Sequence, residues 1–368
     1  MSENKLKKEA KFFDEPIEFG RPIITKGRIF AFPLKSCIRK TNIKKGNCVS
    51  IVWDEVSKIF FGLIIGEENH IFLFDSNSTI EDIGKIEMDD AKGGQLVYDG
   101  VNSIYCFVYN EKELKIFEHK LESERRMYSH MWGHFAFAPI ENIGLVLKEE
   151  KLIAAVKNDF NNSIYLLTNK GKIYSFEIDK KDLQLISEVD NRNISGTLCV
   201  DPRNGDVYGI AREGEFWKLS GNEIKYLKVK IPCMKNRNYL ARAGKIMWFN
   251  GKIYGGTVQD GYLFEFDVEN NYIRNFGRPD ENHEIRSIDI LPDGKIFGIT
   301  SNKETSMGRI FSYSGKYGFV DIGIIQAWQP IHDFAYQPLC IKAGESGEFL
   351  IGNGENRENI FLYCSSPF

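Results

Sequence analysis

The sequence predicts an all-β fold, a single seven-bladed β-propeller of four-stranded antiparallel blades, and three observations lead to this prediction. A short phrase of β-branched and aromatic residues recurs seven times along the 368 residues, and successive copies begin 45, 60, 43, 46, 43 and 53 residues apart. One propeller blade occupies about 40–50 residues. A second phrase, in which aromatic residues alternate with others, follows each copy, and several copies come directly after a tight turn.

The first phrase is expected to form the second strand of each blade, because it follows the kind of turn that joins adjacent antiparallel strands. Its copies begin at Ile59, Ile104, Ile164, Val207, Ile253, Ile296 and Phe349. The second phrase is expected to form the third strand, because a period of two is typical of a half-buried strand. Its copies begin at Phe72, Phe117, Tyr174, Phe216, Phe264, Phe311 and Phe361.

The sixth unit is the clearest. Its strands are expected over residues 287–291, 295–300, 309–314 and 319–322, with a turn at 292–294. In a propeller, neighbouring blades bury each blade's apolar faces, and ring closure protects the sheet edges. Two stacked β-sandwiches are the alternative, but sandwiches rarely repeat one motif seven times.

A strand near the N-terminus has no blade of its own. Residues 27–32 read as a strand, but only 30 residues separate Ile29 from Ile59. The last unit, in turn, reaches Phe368 with too few strands. We therefore expect residues 27–32, or the neighbouring 22–25, to complete the last blade. Residues 1–20 are expected to form a polar arm, and residues 21–368 the propeller.

Composition excludes several classes of protein. Lys and Arg number 48 against 51 Asp and Glu, a net charge of -3, so there is no basic excess for binding nucleic acid. No apolar stretch is long enough to span a membrane and no secretory leader is recognisable, which favours a cytoplasmic protein that does not bind membranes. The seven cysteines contain no C-x-x-C pair, which indicates reduced thiols.

Two stretches carry a resemblance to known propellers. Residues 251–267 (GKIYGGTVQDGYLFEFD) and 293–300 (DGKIFGIT) resemble the repeats of the seven-bladed β-propeller superfamily, which includes kelch-like and lactonase-like members and several polysaccharide lyases. The likeness runs from about residue 45 to the C-terminus. It implies the blade and no particular chemistry. The WD40 pattern is not met, because the one Trp-Asp pair, Trp53-Asp54, precedes a second strand.

A positive pocket is expected where the inner strands converge, because loops from several blades meet at one face. The approaches to four consecutive inner strands contain Arg192, Tyr239, Arg242, His283, Arg286 and His332. We expect the three arginines to bind a substrate, and Tyr239, His283 and His332 to transfer protons. The alternative is that these side chains form ordinary ion pairs between blades.

The longest interval between copies holds a second set of candidates. His130 and His134 are four residues apart, and Trp132 lies between them. The two histidines are candidate catalytic residues, and Trp132 is a candidate for binding substrate. The spacing also suits a metal on a helix, but no Glu intervenes and Gly133 weakens a helix. The cofactor therefore stays unknown: a divalent metal is compatible with the sequence but not indicated by it.

The sharpest functional hypothesis is a pocket for a small anionic or carbohydrate-like ligand, with lyase action on uronate oligosaccharides. An arginine would neutralise the carboxylate, and a His or Tyr would remove the acidified proton. Trp328, in a connecting loop before His332, is the candidate for sugar stacking or a protein contact. The alternative is a non-catalytic scaffold or binding module for a protein or glycan partner.

Overall fold

The computed structural model describes residues 27–34, 43, 45–75, 80–121, 138–190, 194–280, 284–301, 307–328, 331–356 and 359–365. Their strands form seven four-stranded antiparallel sheets arranged as one seven-bladed propeller. The first strand of the chain is β1 (Arg28–Pro33). No helix within these ranges is long and apolar enough to cross a membrane.

The first four blades follow one another along the chain. Blade 1 comprises β2 (Gly46–Asp54), β3 (Ile59–Gly66), β4 (Asn69–Asp75) and β5 (Ile80–Ile86). Blade 2 comprises β6 (Gly93–Tyr98), β7 (Ser103–Tyr109), β8 (Glu113–Lys120) and β9 (Ile140–Lys148). Blade 3 comprises β10 (Leu152–Asn158), β11 (Ser163–Thr168), β12 (Lys172–Glu177) and β13 (Asp182–Glu188). Blade 4 comprises β14 (Leu198–Val200), β15 (Val207–Ile210), β16 (Glu215–Ser220) and β17 (Glu223–Lys230).

The remaining blades include one added hairpin. Blade 5 comprises β18 (Arg242–Phe249), β19 (Lys252–Val258), β20 (Leu263–Asp267) and β21 (Tyr272–Gly277). Blade 6 comprises β22 (Glu284–Ile290), β23 (Ile296–Ser301), β24 (Arg309–Ser314) and β25 (Gly318–Ile324). The hairpin of β26 (Gln326–Ala327) and β27 (Asp333–Phe334) precedes blade 7, whose strands are β28 (Pro338–Ala343), β29 (Glu348–Asn353), β30 (Asn359–Cys364) and β1. Two single-turn 3₁₀ helices span Arg212–Gly214 and Asn238–Leu240.

The ring closes through the N-terminal strand. β1 pairs antiparallel with β30, placing Ala31 opposite Phe361, so blade 7 is built from both ends of the chain. Phe32 also packs on Phe74 of blade 1, with ring centroids 5.1 Å apart. This confirms the prediction that residues 27–32 complete the last blade.

Glycines in the second strands explain why the second phrase regularly follows the first along the sequence. In four blades the glycine of the first phrase pairs directly with the aromatic residue of the second: Gly62 with Phe72, Gly209 with Trp217, Gly255 with Phe264, and Gly298 with Phe311. The ring lies across the glycine, where a Cβ atom would meet it at 2.2 to 2.4 Å. The aromatic ring therefore fills the space that a side chain at the glycine position would occupy, and the ring is buried between blades.

This packing gives a first prediction. Gly209→Ala should lower the free energy of unfolding by about 1–3 kcal/mol, because its methyl group would overlap the fully buried Trp217 ring. Gly315→Ala is the matched control, since no atom lies within 4 Å of its Cβ position. Urea unfolding of both variants measures the difference, and equal midpoints for the two would contradict this account of the repeat.

The structure also shows where the extra residues of the two longest repeat intervals lie. The 60-residue interval arises because the chain leaves β8 and returns only at β9, the third and fourth strands of one blade. The 53-residue interval accommodates the β26–β27 hairpin.

Candidate functional site

The strand order defines two faces of the ring. We call the top face the one formed by the connections between second and third strands and between blades, such as residues 231–241, 259–262, 325–328 and 331–337. The bottom face carries the turns between first and second and between third and fourth strands, such as residues 159–162 and 315–317. Every first strand therefore begins at the top face and runs along the centre of the ring.

A central channel of about 510 Å³ runs between the seven first strands. Each of these strands contributes residues to its wall: β2, β6, β10, β14, β18, β22 and β28. Side chains join neighbouring strands around it: the Leu96 N–H donates to Ser50 Oγ at 3.0 Å, and the Gln95 amide bonds both the N–H and the carbonyl of Ala155. The sequence correctly placed the convergence of the blades at these strands.

Four cationic side chains line the channel: Lys157, Lys245, Arg286 and Lys342. Two of them have partners at its ends. The Lys157 ammonium donates to Asn162 Oδ1 at 2.6 Å. Arg286 Nη2 lies 2.7 Å from Glu284 Oε2, and its Nε donates to Ser301 Oγ at 2.9 Å. Glu284 offsets the charge of Arg286, so this arginine is already occupied.

The charges of the other two lysines both act on one buried carboxylate, that of Asp289. Lys342 Nζ lies 3.0 Å from Asp289 Oδ2, which also accepts the Ala343 N–H at 2.7 Å. Asp289 is only 1% exposed. Burial alone would raise its pKa, but the charges of Lys342 and Lys245 and the Ala343 N–H outweigh burial and hold the pKa below its ordinary value. Asp289 is therefore ionised at neutral pH.

Lys245 stands apart from the other cations of the channel. Among the described residues its ammonium has no hydrogen-bond acceptor and no ion-pair partner within reach. Burial lowers the pKa of Lys245; the charge of Asp289 opposes this shift and that of Lys342 adds to it. The channel therefore holds one lysine that no described residue neutralises by direct contact.

Five of the ten residues singled out by sequence lie outside the described residues: His130, Trp132, His134, Arg192 and His283. Their roles stay predictions.

The other five are Tyr239, Arg242, Arg286, Trp328 and His332. Tyr239 lies in the 3₁₀ helix between blades 4 and 5 and is 61% exposed, and Arg242 begins β18. Both belong to the top face, as Arg286 does at the start of β22. Two of the five, Trp328 and His332, are in direct contact.

Trp328 and His332 belong to what we call the aromatic cluster, formed by Trp328, His332, Phe334 and Tyr336. The Trp328 indole stacks on the His332 ring, with centroids 4.2 Å apart and planes 13° apart. His332 meets Phe334 edge-on at 5.1 Å, and Phe334 lies 6.2 Å from Tyr336. Trp328 is 58% exposed. The cluster presents a large apolar ring system to solvent at the top face.

The backbone beneath the aromatic cluster is firmly held. Ala335 N–H donates to the Ile325 carbonyl, and Gly308 N–H donates to the Ala335 carbonyl, both at 2.9 Å. Ile325, Ala327 and Ala335 are fully buried in the core shared by blades 6 and 7. The rings of the cluster therefore stand on backbone that is both hydrogen-bonded and buried.

Metal chemistry finds no support in the part of the chain that the structure describes, where no group of three or more His, Cys, Asp or Glu side chains is arranged to hold an ion.

Sequence reasoning missed Lys157, Lys245 and Lys342. Each has apolar neighbours in its first strand, as in Ala243-Gly-Lys-Ile-Met247, and a lysine in such a stretch was the signal that could have found them.

Comparison with known proteins supports the fold alone. No protein-family model matches the chain, and no curated protein matches it in sequence. Among solved structures, Raptor from Chaetomium thermophilum matches with a TM-score of 0.61 at 9% identity, over 100% of this chain and 31% of that one. A chain of a mitotic checkpoint complex matches with a TM-score of 0.58 at 10% identity, over 95% and 94%. The WD40 propeller domain of Doa1 matches with a TM-score of 0.58 at 9% identity, over 88% and 94%.

Proposed function

We propose that this propeller is a non-catalytic scaffold that binds a protein partner at its top face. The observation that carries the proposal is the aromatic cluster, in which an exposed tryptophan stacks on a histidine outside the blade repeat, above a buried and hydrogen-bonded backbone. Tryptophan and tyrosine are enriched among residues that dominate binding energy at protein interfaces. A ring already fixed by stacking loses little conformational freedom on binding.

Two of the structural neighbours are consistent with this role. One match is a chain of a mitotic checkpoint complex, and another is a WD40 propeller domain. At 9–10% sequence identity, these matches indicate a shared fold and do not identify a particular binding partner. The occupant that the geometry favours is a protein segment that places an apolar side chain on the exposed face of Trp328.

Uronate lysis is the weaker hypothesis. It needs an arginine to neutralise a substrate carboxylate. Of the three candidates, Arg286 already pairs with Glu284, Arg192 lies outside the described residues, and Arg242 is exposed at the start of β18. Three of its five candidate proton-transfer residues, His130, His134 and His283, lie outside the described residues. Of the other two, His332 stacks on Trp328, and Tyr239 is 61% exposed in the 3₁₀ helix between blades 4 and 5. Growth of ultraviolet absorbance from an unsaturated product, on uronate oligosaccharides with and without divalent metal, would restore that hypothesis, provided that His134→Ala abolishes it.

Site-specific photo-crosslinking in the native cell tests the scaffold directly. A photoreactive phenylalanine analogue replaces Trp328, or, as the matched control, Tyr317, which is 70% exposed in a bottom-face turn. We expect discrete protein adducts from position 328 and none of the same size from position 317. Identical adducts from the two positions, or none from 328, would refute the proposal.

A further inference from the structure

Lys245 occupies an unusual place for a lysine. It lies in the wall of the central channel, on the inner strand of blade 5, partly exposed to the channel solvent. A cation removed from bulk water is costly unless a partner replaces the lost hydration. The part of the chain that the structure describes supplies no such acceptor to its ammonium. Asp289 acts on it only through charge.

Lys342 is a second lysine in the wall of the channel. The Lys342 ammonium has three N–H donors, and its 3.0 Å contact with Asp289 Oδ2 uses one of them. The Lys342 side chain remains 30% exposed. Lys245 and Lys342 lie on blades 5 and 7, with the single carboxylate of Asp289 on blade 6 between them. This sector of the channel therefore carries two positive charges against one negative charge.

The other charged groups of the wall do not offset this excess. Arg286 is paired with Glu284 towards the top face, and Lys157 lies 3.8 Å from Asp159 towards the bottom face. The channel volume of about 510 Å³ falls within the range of small-molecule sites, about 300–1,000 Å³. A small multivalent anion with its waters fits this space.

We propose that the central channel binds a small multivalent oxyanion, a phosphate or a polycarboxylate, between Lys245 and Lys342. The anion supplies the acceptors that Lys245 lacks, and Asp289 holds Lys342 in place beside it. This site is separate from the aromatic cluster, and it requires no chemistry on the bound anion. Such a ligand would stabilise the inner ends of blades 5, 6 and 7 as one unit.

Thermal unfolding of the full chain tests the site, with pyrophosphate and citrate as probes and sodium chloride at matched ionic strength as the reference. We expect a saturable rise of about 2 °C or more in the wild-type midpoint with at least one probe. Lys245→Met should raise the midpoint of the ligand-free protein, because it removes a poorly satisfied cation, and should abolish the rise. Lys225→Met, an exposed lysine on the outer strand β17, should behave as wild type.

Two outcomes would overturn the proposal. One is the absence of a saturable rise in the wild-type protein with either probe. The other is a rise of equal size in Lys245→Met, which would place the anion elsewhere. Isothermal titration of the same three proteins gives an independent reading: we expect Lys245→Met to weaken binding by tenfold or more. Neither outcome bears on the aromatic cluster, so the scaffold proposal stands or falls separately.

Discussion

A chain that begins at Leu34, and so lacks β1, is expected to lose cooperative folding. All six residues of β1 pair with β30, and Ala31 is fully buried in the core of blades 6 and 7. Without β1, blade 7 has three strands and an unpaired apolar edge at β30, which is prone to aggregation. Circular dichroism during heating, with size-exclusion chromatography, should show a broad transition and soluble aggregates.

Two controls make this truncation informative. We propose that residues 1–20 are a polar arm outside the propeller, so a chain that begins at residue 21 should melt as the full chain does. A synthetic peptide of residues 27–34, added to the longer truncation, should restore a cooperative transition by adding the missing strand. A monomeric truncation with an unchanged midpoint would show that the ring does not depend on β1.

Asp289→Asn is expected to lower the free energy of unfolding by about 3 kcal/mol at neutral pH. The substitution removes a buried carboxylate whose charge acts on both Lys342 and Lys245. Lys245→Met should relieve part of this loss, so the double variant should be more stable than Asp289→Asn alone. Urea unfolding of the single and double variants measures this coupling.

The difference in free energy of unfolding between the wild type and Asp289→Asn should become smaller as the pH falls. The pKa of Asp289 is lower in the folded protein than in the unfolded chain, where it is about 3.9. The unfolded chain therefore binds the extra proton first, and the carboxylate stabilises the fold above that pH. Its contribution is lost as the pH falls through the pKa of Asp289 in the folded protein. The wild type and the variant should therefore have similar free energies of unfolding in acid. A difference that grows below about pH 4 would contradict this sign.

The repeat was predictable because the cause of each phrase is local in sequence. The glycine of the second strand and the aromatic ring of the third, such as Gly209 and Trp217, are paired neighbours within one hairpin. The closing strand was predictable from chain length, since residues 27–32 had no blade and the last unit lacked a strand. Both inferences need only the spacing of residues along the chain.

The candidate site was harder to predict from the sequence, because its contacts join residues that are far apart along the chain. Asp289 meets Lys342 across 53 positions and a blade boundary, and nothing in either strand signals the pair. Trp328 and His332 were both singled out, but their stacking depends on the β26–β27 hairpin. The expected role of Arg286 overlooked Glu284, two residues away on the same strand.

The most direct test of the scaffold is the dissociation constant of the partner captured through position 328. It should be measured by isothermal titration against the wild-type chain, Trp328→Ala and Tyr317→Ala. Loss of a dominant interface tryptophan costs about 2 kcal/mol or more, so Trp328→Ala should bind about thirtyfold more weakly. Tyr317→Ala should bind within about twofold of wild type, because its turn lies on the opposite face. Equal affinities for all three chains would contradict the proposal that the aromatic cluster is the docking site.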